Sequence, residues 1–228
     1  HGGVLPAVEQ PDPAGLAPHP WPALPVRTDF TGAAALDARW QSLRRPVDDS
    51  WCDFGSRPGW LRMAGGESPH SLHEQSFLAR RLQAFRATAT TRMDFSPTRY
   101  SQFAGLACWY DTRTHYALRV TRDETLGRVV RVQLTDDTVY AEPADAVIPI
   151  NDWPTVVWLR AQIDREELRF FASPDGAAWT QVGGVFDFTK LSDDYGPVLH
   201  FTGTMIGIGC HDVAGQRGYA DFEFFELG

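Results

Sequence analysis

This 228-residue chain has little cysteine, no long apolar run and no excess of basic charge. Its three cysteines, Cys52, Cys108 and Cys210, cannot all pair within one chain, and none belongs to a C-x-x-C pair. Each sits among apolar or aromatic neighbours. Three reduced, buried thiols are expected, which leans towards a cytoplasmic rather than a secreted protein. No stretch is apolar over the length that a membrane-spanning helix needs. The net charge is 21 − 29 = −8. That sign disfavours nucleic acid and anionic membrane as partners, because both need a basic surface. It is compatible with a neutral ligand such as a sugar, without selecting one.

Catalytic patterns are missing too. There is no G-x-S-x-G elbow, no P-loop and no repeat of 20–50 residues. His70 and His73 lie three apart, without the further clustered Cys or His that a zinc site needs. A retaining glycosidase built on a sandwich needs two carboxylates about 5.5 Å apart on one face. The candidates are Glu223/Glu226, Asp136/Asp137, Asp193/Asp194 and Glu166/Glu167. Spacings of one or three turn each pair to opposite faces of a strand or leave it in a loop. No catalytic residue and no cofactor are therefore expected in this chain. Asp29 and Asp221, on the first and last strands, are candidates for a structural Ca²⁺.

What is present points to an all-β fold. The apolar fraction is 43%, with 28 aromatic residues, ample for a sizeable core. Sixteen prolines and 20 glycines argue for many turns and little helix. Residues 1–25 hold seven prolines and read as an extended interdomain linker, with Trp21 between Pro20 and Pro22 as a stiff docking anchor. Residues 26–228 break into short β segments at 27–30, 39–43, 51–54, 60–63, 72–82, 84–95, 103–111, 116–121, 128–134, 147–150, 155–163, 168–172 and 179–182. Turn signals recur every 8–12 residues or so, the mark of a sandwich or barrel. Residues 192–226 read as the closing strands. There Phe222, Phe224 and Phe225 are interleaved with Asp221, Glu223 and Glu226, and glycines relax the backbone before them.

Sugar rings stack on exposed aromatics while nearby polar groups bond the hydroxyls. Trp109, Tyr110, Trp153 and Trp158 are the candidates, with core packing the alternative for each. Trp153 lies in the turn Asn151-Asp152-Trp153-Pro154, which favours its exposure.

Several motifs, in order along the chain, carry a family resemblance. They begin with Thr28-Asp29-Phe30, Leu36-Asp37-Ala38-Arg39-Trp40-Gln41 and Arg57-Pro58-Gly59-Trp60-Leu61-Arg62. Gly66-Glu67-Ser68, Gln75-Ser76-Phe77-Leu78-Ala79-Arg80-Arg81, Ala104-Gly105-Leu106 and Trp109-Tyr110 follow. Ser192-Asp193-Asp194-Tyr195 and Phe201-Thr202-Gly203 close the set. Together they resemble the C-terminal β-sandwich domain of glycoside hydrolase family 43 β-xylosidases and α-L-arabinofuranosidases. The resemblance implies a concanavalin A-like jelly-roll sandwich of two antiparallel sheets. It also implies catalytic acids on a separate five-bladed propeller, N-terminal to this domain.

The partners it implies are that propeller and a xylo- or arabino-oligosaccharide; a homo-oligomer is also open. Trp21, Asp193, Asp194 and Tyr195 would dock the propeller. A loop at 200–207, with His200, Phe201, Thr202, Gly203 and Met205, would close the substrate pocket. An aromatic residue commonly stands in the family where this chain has Met205. A free-standing carbohydrate-binding module is the alternative role.

Overall fold

The computed structural model describes residues 25–32, 36–196, 202–215 and 218–228. Residues 1–24 of the expected linker, Trp21 among them, and the expected loop residues His200 and Phe201 lie outside them. The described residues form seventeen strands and one 3-10 turn, Phe188–Lys190. The early strands are β1 (Arg27–Asp29), β2 (Trp40–Ser42), β3 (Cys52–Asp53), β4 (Leu61–Ala64) and β5 (Ser76–Arg81). Next come β6 (Arg86–Asp94), β7 (Gln102–Trp109), β8 (His115–Asp123), β9 (Gly127–Asp136), β10 (Val139–Ala141) and β11 (Val147–Pro149). The last six are β12 (Val156–Asp164), β13 (Glu167–Ser173), β14 (Thr180–Gln181), β15 (Phe186–Asp187), β16 (Met205–Asp212) and β17 (Tyr219–Leu227).

Two antiparallel sheets face each other. One runs β14-β13-β12-β6-β17-β4-β3, with β1 also on β17 and β15 also on β13; the other runs β10-β9-β8-β7-β16-β5-β2, with β11 also on β9. Alternation dictates which side chains meet between them. In β12, Val157, Leu159, Ala161 and Ile163 are buried while Trp158, Arg160 and Gln162 are not. Tyr116, Leu118 and Val120 of β8 answer them from the opposite sheet. Each large apolar side chain buried this way stabilises by about 1.5–3 kcal/mol. Cys52, Cys108 and Cys210 are free and buried in this layer, as expected. Burial pushes the Cys52 thiol up to about 12, and raises Cys108 and Cys210 as well.

Strand β17 departs from strict alternation. Its register against β6 shifts between Phe222 and Phe224. This bulge turns both Phe222 and Phe225 into the core, which their odd spacing would otherwise forbid. Phe224 faces outward beneath the Arg27 guanidinium, 3.7 Å from the ring centre, and packs beside Trp158. The bulge also corrects the expectation that Glu223 and Glu226 face apart. Glu223 bonds Arg92 on the outer face at 2.5 Å, and Glu226 acts on the charge of Arg160 there. Each carboxylate thus has an arginine for company.

The outer face of the second sheet has a floor of small residues. Gly207 lies between Ala79 and Ala107, and Gly209 opposite Gly105. A Cβ on Gly207 would stand 2.1 Å from the Leu78 carbonyl oxygen and 2.6 Å from the Ala79 Cα. Both are backbone atoms and cannot step aside. Residues 205–207 are therefore strand, and only 202–204 of the described part of the expected 200–207 segment are loop. Sequence reading also missed β10, β15 and the 3-10 turn, all too short to show a period.

Strand register sorts the connections into two ends. Residues 82–85, 110–114, 137–138, 165–166, 188–196 and 202–204 meet at one; residues 95–101, 124–126, 213–215 and 218 meet at the other. Pro25 also sits at the first end, since Val26 accepts from Leu227 and Gly228 pairs with Thr88.

Gly207→Ala tests the packing of β16. Overpacking against backbone costs about 1–3 kcal/mol. A fall in unfolding free energy of that size, read as a lower urea midpoint, is expected, and an unchanged midpoint would show that β5 and β7 can spread.

Candidate functional site

The segment from Phe188 to Thr204 is the longest connection at the first end, and two carboxylates pin its limbs. Asp193 Oδ1 accepts from the Tyr110 hydroxyl at 2.8 Å and from the backbone N–H groups of Thr202 and Gly203, each at 3.2 Å. The Tyr110 bond comes first among the causes that hold the Asp193 carboxyl below its ordinary range. One side chain thereby ties the outgoing limb, the returning limb and β7's end together. On the other side Asp136 accepts from Lys190 Nζ at 2.5 Å and from the Tyr195 hydroxyl at 2.7 Å. Burial alone would raise Asp136, but these two donors outweigh it and its pKa falls.

The returning limb needs glycine. Gly203 has φ +66°, a conformation that side chains rarely adopt, and the Arg81 guanidinium lies 2.3 Å from where its Cβ would stand. Thr204 donates from its hydroxyl to the Leu191 carbonyl, and its own carbonyl accepts from Leu82 N–H at 3.0 Å. Met205 then starts β16 and packs, half-buried, against Phe77, Ala79 and Trp109. Of the residues expected to close a pocket, Thr202, Gly203 and Met205 are thus brought to one place. Asp193 and Tyr195 spend their polar atoms within the domain, whereas Asp194 stays exposed. Asp193 and Tyr195 thereby hold the segment in shape. The anchoring bond between Asp136 and Lys190 was not legible, because no local pattern marks a residue whose partner is 54 positions away.

The sugar-stacking candidates fare differently. Trp109 is 4% exposed and Tyr110 is 5% exposed, so neither offers a ring face to solvent. Trp109 is sandwiched between Phe77 and His115, its centroid 4.4 Å from the imidazole. Trp153 packs half-buried against the core despite its turn, and Trp158 is covered by Phe224 and the Gly176 turn. The calcium candidates are both paired with arginine. Asp221 is buried and gripped by Arg62 at 2.7 and 2.9 Å and by Arg57 at 3.1 Å, while Asp29 pairs with Arg27. Two guanidiniums occupy the lone pairs that a cation would use. Among the described residues no group of three or more His, Cys, Asp or Glu could hold a metal.

Residues 27–227 match the model of the β-xylosidase C-terminal concanavalin A-like domain. The chain belongs to this family. It is therefore of the kind found at the C-terminal end of family 43 glycoside hydrolases. It is 36% identical to a xylan 1,3-β-xylosidase of Vibrio sp. over 225 residues, 98% of this chain and 41% of that one. A putative β-xylosidase of Escherichia coli K12 is 40% identical over 201 residues, 87% of this chain and 37% of the other. Among solved structures, xylan β-1,4-xylosidase from Bacillus halodurans C-125 superposes with a TM-score of 0.88 at 36% identity, covering 93% of this chain and 41% of that one. The chain spans about two fifths of the length of these relatives.

The family domain should also be acid-sensitive through two buried imidazoles. His115 stacks on Trp109 and His211 on Phe103, and both are buried. Burial lowers them from 6.5 to about 3 and about 4 respectively. The unfolded chain takes these protons first, so the stability they supply is full above pH 6.5 and is lost as pH falls towards 4. Below pH 6.5 the fall should steepen, reaching about 1.4 kcal/mol per pH unit for each histidine near pH 5. Urea unfolding across that window, with His115→Gln showing about half the slope, checks it.

Proposed function

We propose that this domain is the accessory sandwich of a family 43 β-xylosidase or α-L-arabinofuranosidase. It docks on the catalytic propeller and completes the substrate pocket with the segment around Thr202–Gly203. The reaction of the complete enzyme is inverting hydrolysis of terminal pentosides from xylan-derived oligosaccharides, and the propeller supplies the acids and the water-activating base. Support comes chiefly from the pinning of the 188–204 segment by Asp193 and Asp136. A segment that merely joins two strands has no need of five side-chain bonds to fix it, whereas one wall of a substrate site must be held to within fractions of an ångström. The names of the relatives support the substrate class: two carry xylosidase names, and a Bacteroides ovatus relative, 32% identical, is a non-reducing-end α-L-arabinofuranosidase. A free-standing sugar-binding role has less support, because Trp109 and Tyr110 are withdrawn from solvent.

Asp193→Ala in the complete polypeptide is the test. It removes the acceptor shared by Tyr110, Thr202 and Gly203. With aryl β-xyloside and aryl α-arabinofuranoside as substrates, kcat/KM should drop about tenfold, mostly through KM, a loss of about 1.4 kcal/mol in transition-state stabilisation. Asp193→Asn, which keeps one acceptor oxygen, should recover part of it. Unchanged kinetics in both variants would remove the segment from the substrate pocket.

A further inference from the structure

The end of the sandwich that carries the 188–204 segment also exposes its largest unpartnered aromatic. Phe85 is 85% exposed, more than any other large apolar side chain among the described residues. Its backbone is nonetheless fixed. The Phe85 carbonyl accepts from Arg165 N–H at 2.6 Å, and Arg165 sits at φ 56° in the tight β12–β13 turn. Beside it runs a groove of about 590 Å³ floored by Leu82, Phe188 and Leu191, with Ser192 and Thr204 as one wall. A second groove, of about 570 Å³, lies across the 3-10 turn, where Val139 and Val185 are exposed. The opposite end has a shallower apolar character, its groove lined by Thr98, Arg99, Ser101, Arg122 and Glu124 beside Tyr100.

We infer that the Phe85 groove is the surface on which the catalytic part of the same polypeptide seats, with Phe85 as the anchor. This rests on the accessory role proposed above and says where the contact lies. Two observations choose the occupant. The polypeptide reaches the sandwich at this end, because the Pro25 carbonyl is held by Arg39 at 2.7 Å and the Val26 carbonyl by Arg80 at 2.9 Å. Residue 25 therefore lies at the same end as the groove. The relatives are more than twice as long as the part this chain matches, and the matching family model is a C-terminal domain, so a large module precedes it in them. A rigidly presented aromatic next to an apolar groove is the usual anchor of such a contact. The groove wall is formed by the limbs of the pinned segment, so seating here would carry residues 202–204 to the catalytic part.

Hydrogen exchange of the 228-residue chain, compared with the complete polypeptide, tests the assignment. Amides at 82–85, 165–166 and 188–192 should exchange at least tenfold more slowly in the complete polypeptide, while those at 95–101 and 213–215 keep their rates. Phe85→Asp should abolish that difference in the complete polypeptide. It should leave the melting temperature of the 228-residue chain unchanged, since the side chain is in solvent. Slowing at the opposite end, or slowing that survives Phe85→Asp, would overturn the Phe85 surface while leaving docking itself intact. No slowing anywhere would overturn both this surface and the accessory reading.

Discussion

The rest of the structure depends on the seating of Met205–Asp212 between its two antiparallel neighbours. That strand touches Ser76–Arg81 on one side and Gln102–Trp109 on the other, and it can lie flush only because Gly207 has no Cβ. Where the strand lies fixes where Met205 begins it, and so where Thr202, Gly203 and Thr204 leave the sheet. The same close approach produces the small-residue floor on the outer face, into which Trp109, Phe77 and the two buried histidines pack as a second, smaller cluster. A bulkier residue in this strand would displace the segment above it before it disturbed the core beneath.

Charge in this molecule is mostly put to structural use. The chain has eight more acidic than basic side chains, yet the acids that matter to its shape are each committed. Asp193 and Asp136 hold the long segment, Asp221 is clasped by Arg57 and Arg62, and Asp53, Asp123 and Asp175 accept backbone N–H groups in turns. Those bonds favour the charged form and hold most of these carboxyls below their ordinary range. Carboxylates so engaged make poor general acids, because a catalytic acid must keep its proton near neutral pH. What the domain offers is geometry: a fixed segment, a fixed aromatic, and an apolar groove between them.

Much of this was legible in the residues. Alternation in 156–163 and 116–121 reported the two-sheet core, since period 2 has one explanation when a face is buried. The ordered motifs from Thr28 to Gly203 reported the family. Other features were not legible. The bulge at Phe222–Phe224 is invisible in a string of letters, because an extra residue in a strand costs only a local shift that the neighbouring strand decides. Trp109 and Tyr110 read equally well as exposed platforms or as packing. Their burial was settled by Phe77, His115 and Asp193, residues 6 to 83 positions away.

The sequence by itself determined the fold class, the dominance of turns and the family, because these follow from composition, period and local order. Tertiary structure alone decided which acids are anchors, which aromatics are core, and that Phe85, the 188–204 segment and the arriving chain share one end. Those outcomes depend on contacts between strands far apart in the chain. Their partners are chosen by how two twisted sheets stack, and nothing local to either residue records the choice.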